Sequence, residues 1–148
     1  MATTVTNGTL VVTIKEELTL NGKEQGGTII KSIAACDEVY KRIITLTADT
    51  SHDVASFAGT PGAACEFDTD LIQYIRVTNL DDTTDLVVTY GGSTSAAQVV
   101  PAGCSSMLFR KGVKGATSDA AQTSGNDIAS LYLRSSAAID VELMIVST

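Results

Sequence analysis

The sequence predicts an all-β domain: an antiparallel β-sandwich of jelly-roll type with roughly eight or nine strands, immunoglobulin-like order being the alternative. Three observations point there. Apolar and polar residues alternate along most of the chain, as in strands with one buried face. No long stretch repeats apolar residues at the i, i+3, i+4, i+7 spacing of an amphipathic helix. Turn residues punctuate the alternation throughout, from Asn21-Gly22 to Ser135-Ser136-Ala137, and no fixed period suggests a solenoid or propeller.

Leu10, Val12, Ile14, Leu18 and Leu20 fall on one face of an extended segment, interrupted only at Glu16, and Asn21-Gly22 closes it with a turn. Thr28–Ile33 and the β-branched run Val39–Thr47 are the next strands, joined through Ala34-Ala35-Cys36-Asp37. Residues 48–70, with Asp49, Gly59, Pro61 and Gly62, break the rhythm and read as a first long loop. Leu71–Leu80, Asp85–Tyr90 and Ala96–Val100 follow as an antiparallel meander that Pro101-Ala102-Gly103 ends. Ser105–Arg110 leads into a second long loop, residues 111–126. Asp127–Arg134 and Ala138–Ser147 are the last strands, the final one burying Ile139, Val141, Leu143 and Ile145. Residues 1–9 are polar enough to form an arm, leaving 10–148 as one domain.

The chain has 148 residues, 44% of them hydrophobic, with a net charge of −7. That length suits one core rather than two, and no apolar run approaches the ~20 residues of a membrane span. Met1-Ala2-Thr3-Thr4 lacks the basic start and apolar run of a secretory signal, so synthesis in the cytoplasm is expected. The acidic charge repels phosphate, and only Arg110, Lys111 and Lys114 gather as a basic group, so no nucleic-acid partner is expected. Cys36, Cys65 and Cys104 form no CxxC pair and are odd in number, which fits small core residues better than a zinc site or a disulfide framework.

Catalytic chemistry is hard to assemble from these residues. The single histidine, His52, stands in Ser51-His52-Asp53, whereas the members of a catalytic triad converge from separate elements. No enzyme activity and no cofactor are expected. Glu66, Asp68 and Asp70 alternate, so an extended backbone would place their carboxylates on one face, a candidate site for a hard cation such as calcium. The central glycine and terminal glutamate of a calcium-binding loop are missing, and a solvated strand start explains the spacing as well. With no Trp, four Tyr and three Phe, the stacking platform of a carbohydrate-binding module has little to draw on. Tyr74 and Tyr90 alternate with apolar residues as core rings would.

The segments LTLNG (18–22), DEVYKRI (37–43), YIRVTNLDDT (74–83), PAGCSSML (101–108) and DIASLYLRSSAAIDVELMIVS (127–147) resemble, in this order, small β-rich virion proteins of tailed phages, particularly marine and cyanobacterial ones. The resemblance covers most of the chain and carries no catalytic residue. It implies a bacteriophage capsid decoration or cement protein, made in the host cytoplasm, that binds the outer surface of the assembled head. The implied partners are the major capsid protein and further copies of the chain in a homotrimer, and no membrane. Docking would then use the N-terminal residues Thr3, Thr4 and Val5, with His52, Phe57 and Pro61 of the first long loop and Lys111 and Lys114 of the second. A tail, collar or fibre adaptor and a carbohydrate-binding sandwich are the alternatives.

Overall fold

The computed structural model describes residues 6–58, 66–68, 71–91, 95–109 and 128–148. The described residues form thirteen strands and no helix, in two compact units divided between Asp37 and Glu38. The boundary expected after residue 9 lies inside the first strand.

The first unit is an arm built as one long antiparallel hairpin. Strands β1 (Gly8–Glu16) and β4 (Gly27–Cys36) pair along its length, and β2 (Thr19–Leu20) and β3 (Lys23–Glu24) form its tip. At ~3.3 Å per residue, Gly8 to Leu20 spans about 40 Å. Leu20 faces Lys23, and Asn21 (φ 51°) and Gly22 (φ 73°) between them are both left-handed. This two-residue turn is the kind whose twist matches the paired strands, and Asn-Gly tolerates it best. Behind the tip, the Glu24 carboxylate accepts hydrogen bonds from the backbone N–H of Leu18 (3.3 Å) and Gly26 (3.0 Å), while the Gln25 N–H reaches the Leu18 carbonyl at 2.7 Å. Gly26 passes so close to β1 that a Cβ there would lie 2.0 Å from the Glu16 carbonyl oxygen. At the base, Gly8 faces Cys36 and Leu10 faces Ile33. This bulge leaves Ala34-Ala35 opposite Thr9, with Ala35 left-handed (φ 60°), a geometry that suits glycine. Ala35→Gly should therefore stabilise the arm by about 1 kcal/mol, read as slower hydrogen exchange in β1 and β4.

The second unit is the sandwich. Its strands are β5 (Glu38–Leu46), β6 (His52–Ala58), β7 (Glu66–Asp68), β8 (Ile72–Asn79), β9 (Leu86–Gly91), β10 (Ala96–Val100), β11 (Ser105–Phe109), β12 (Ser130–Ser135) and β13 (Ile139–Ser147). One sheet runs β11-β8-β13-β5 and the other β10-β9-β12-β6-β7, with β7 parallel to β6 and every other pairing antiparallel. With β7 set aside, the pairs β9–β10, β8–β11, β6–β12 and β5–β13 nest inside one another. That is an eight-stranded hairpin rolled into two sheets, the jelly-roll order expected from the sequence.

The facing sides of the two sheets supply the core. Ile139, Val141, Leu143 and Ile145 of β13, the set expected from alternation, are all buried in it, with Ile75 and Val77 of β8, Leu86 and Val88 of β9, and Leu131 and Leu133 of β12. Phe57 and Phe67 close one end, their ring centroids 6.1 Å apart. Inside the opposite margin, the Tyr90 hydroxyl lies 3.1 Å from Ser106 Oγ, which donates to Gln98 Oε1 at 2.7 Å. Burial raises the Tyr90 pKa, and the Ser106 hydrogen bond only partly offsets this.

Three expectations are corrected. Residues 48–70 are not a single loop, because they contain β6 and β7. The alternation of β6 is masked because its neighbours Val54 and Ala55 are both buried and the β6–β12 register slips beside Ala55. The meander over 71–100 does not form, since β8 and β9 lie in opposite sheets, the connection at residues 80–85 crossing between layers instead of turning back. Of the cysteines expected in the core, Cys36 is buried outside the main cluster and Cys104 is exposed. Cys65 lies outside the described residues.

Candidate interaction surfaces

The outer side of the β11-β8-β13-β5 sheet carries the most concentrated side-chain chemistry of the sandwich. The register aligns Met107, Arg76, Met144 and Lys41 in one cross-strand row and Ser105, Thr78, Glu142 and Ile43 in the next. Glu142 is the hub: Arg76 Nη2 donates to one of its oxygens and Lys41 Nζ lies 3.3 Å from the other. Arg76 Nε is buried without a hydrogen-bond partner, and such a group makes a surface costly to leave bare. Val39, Ile43 and Met107 around it are exposed. In a third row Tyr74 is buried, 2% exposed, outside the main core cluster, and its ring lies 5.3 Å from that of Phe109. Arginine and methionine are among the residues enriched where proteins meet.

Among the described residues three carboxyl groups are held below their ordinary pKa. For Glu24 the cause is the backbone N–H groups of Gly26 and then Leu18, and for Asp81 those of Thr83 and Thr84. Burial raises Glu142, but hydrogen bonds and charge from Lys41 and Arg76 outweigh it. A carboxyl depressed in the folded state contributes stability that is full above its unfolded pKa and is lost as pH falls through the folded one. The protein should therefore hold its stability above about pH 4.5 and lose it progressively below. Glu142→Gln should flatten that acid limb of a melting-temperature profile; an unchanged limb would remove Glu142 from the explanation.

His52 is half-buried on β6, and its Nε2 accepts the Thr47 N–H at 2.9 Å. That bond requires a neutral ring with its proton on Nδ1, so the imidazole ties the β5–β6 turn. Phe57, expected at an interface, has its ring taken up by the core. Thr3, Thr4, Val5, Pro61, Asp70, Lys111 and Lys114 lie outside the described residues, and Glu66 and Asp68 fall on β7. Among the described residues no group of three or more His, Cys, Asp or Glu gathers as metal ligands, and no helix is long and apolar enough to cross a membrane. A depression of about 380 Å³ lined by Asp49, Asp85, Val87, Val99, Arg134 and Ser135 holds an Asp49–Arg134 ion pair at 3.7 Å, with no nucleophile–base pair in its walls.

The arm is the surface that sequence reading missed. Leu18, Leu20, Val11, Ile29 and Ile30 on it are 56–65% exposed. Its β1 half was legible as a strand, but a continuous ribbon through Cys36 was not, because Glu17-Leu18 and Gln25-Gly26 interrupt both strands at the same level. No protein-family model, no curated protein and no solved structure matches the chain.

Proposed function

We propose that this chain is a non-enzymatic structural protein of an assembly, and specifically a decoration protein on the outside of a tailed-phage head. The observation that carries the first part is the arm: a ribbon about 40 Å long with large apolar side chains exposed on both faces, on a chain that also carries a complete sandwich. Such an element gains its stability from what it is laid against. The more specific part draws on the phrase-level resemblance, the acidic charge suited to a surface away from the genome, and a jelly roll, an architecture that capsid domains share with lectins. Fold alone does not select among these uses.

In this reading three copies clamp neighbouring capsid subunits, and because they bind the assembled shell only, they stabilise it by mass action. At a free concentration of 100 Kd each site contributes about 2.7 kcal/mol. Locating the chain in purified particles by cryo-electron microscopy tests the reading. Many symmetry-related copies outside the shell are expected. Copies confined to one vertex would overturn decoration in favour of a tail or collar adaptor, and binding to glycans instead of heads would favour the lectin-like use.

A further inference from the structure

We propose that the β4 edge of the arm pairs antiparallel with the β4 edge of a second copy of this chain, about a two-fold axis through Ile30. The inference uses the arm alone and stands or falls independently of the virion reading.

Two strands make a marginal structure in water, and three or more with an apolar face make a stable one. In the arm, Leu10 faces Ile33, Val12 faces Lys31 and Ile14 faces Ile29 on one side, while Val11 faces Ser32, Thr13 faces Ile30 and Lys15 faces Thr28 on the other. The first side is thus nearly all apolar, yet the sheet stops at two strands among the described residues. Among the described residues neither outer edge has a further strand beside it, but the two differ in how they are guarded. β1 ends in Lys15 and Glu16, with Glu17 beside them in an ion pair to Lys15, and charges of this kind discourage edge pairing. β4 carries one charge, Lys31, and no proline, and from Gly27 to Ile33 it runs in regular register before the bulge at Ala34-Ala35.

The occupant follows from symmetry and charge. Identical strands meeting antiparallel about a two-fold axis are self-complementary. Centring the axis on Ile30, the midpoint of the regular stretch, sets Ile30 against its own copy, Ile29 against Lys31, and Thr28 against Ser32. The two lysines then avoid a direct face-off, and the 63–65% exposed Ile29 and Ile30 gain cross-strand neighbours. Between residues 6 and 36, Lys15, Lys23 and Lys31 balance Glu16, Glu17 and Glu24, so the net charge of −7 resides elsewhere. The arm is therefore where two copies of an acidic chain can meet without like-charge repulsion. The product is a four-stranded sheet, β1-β4-β4-β1, with one continuous apolar side.

Sedimentation of the full chain up to about 100 µM should show reversible association, which Ile30→Glu should weaken at least tenfold by placing two carboxylates opposite each other. Because the site is exposed, that variant should keep the melting temperature that the wild-type chain shows at concentrations too low for association. Under mild oxidation, Ile30→Cys should form a dimer whose peptide map shows residue 30 joined to residue 30, whereas Ser32→Cys should cross-link far less. A chain that stays monomeric, association untouched by Ile30→Glu, or equal cross-linking at 30 and 32 would each overturn the proposal.

Discussion

Replacing Asn79 with alanine is expected to lower the stability of the sandwich by about 3 kcal/mol, seen as a fall of roughly 10 °C in Tm. The side chain is only 1% exposed, at the end of β8 where the chain leaves one sheet for the other. Its amide nitrogen donates to the Thr84 carbonyl at 2.8 Å and the Val100 carbonyl at 3.3 Å, and its oxygen accepts the Asp81 N–H at 3.1 Å. One residue thus fastens the crossover to the end of β10. Each buried group stranded without a partner costs about 1–3 kcal/mol, and alanine strands several at once, with partial relief where water can reach. Asn79→Asp keeps the acceptor and loses both donors, so it should be no better than alanine. A loss under about 1 kcal/mol in the alanine variant would mean that solvent replaces the amide.

The second large effect is expected in the arm alone. Gly26→Ala would place a methyl group 2.0 Å from the Glu16 carbonyl oxygen, and backbone, unlike a flexible side chain, cannot swing away. Relief requires separating the strands behind the tip, which breaks the Glu24 bonds to Leu18 and Gly26. A two-stranded ribbon has little stability to spare, so a strain above about 3 kcal/mol should open it. Hydrogen exchange in β1–β4 should rise toward unfolded rates and proteases should cut between residues 10 and 33, while the sandwich melts as before. Retained protection in β1 and β4 would show that the approach at Gly26 is relieved more easily than the backbone geometry implies.

How legible each element was follows from how many constraints acted on it. β13 was read correctly down to its four inward side chains, because apolar and polar residues alternate from Ile139 to Leu143 and the same register carries on to Ile145. β10 was bounded correctly because Pro101 ends it. β6 was lost because Val54 and Ala55 are consecutive buried residues at a register slip and Ala55 is too small to mark a core position. The crossing of β8 to β9 was invisible because Asp81-Asp82-Thr83-Thr84 has ordinary turn composition. What makes it a crossover is Asn79, whose partners lie up to 21 residues away. The ion cluster at Glu142 joins Lys41, Arg76 and Glu142 from three strands, and no spacing along the chain relates them. The strands of the arm were legible but their exposure was not, for a different reason: exposed isoleucines carry the same pattern as those of a strand that buries them.

The position of β13 bears on how this protein is made. It lies between β5 and β8 at the centre of its sheet, and among the described strands it is the sole partner of β5. Residue 46 therefore waits for residue 139. At a ribosomal rate of ~5–20 residues per second, that wait is about 5–20 s. The hairpin of the arm can close within microseconds of emerging, so the nascent chain displays a finished arm beside an unfinished sandwich. During that interval β5 presents Val39, Ile43 and Ile44 on a strand without its partner, and Lys41 and Arg42 are the charges that discourage pairing with a neighbouring nascent chain.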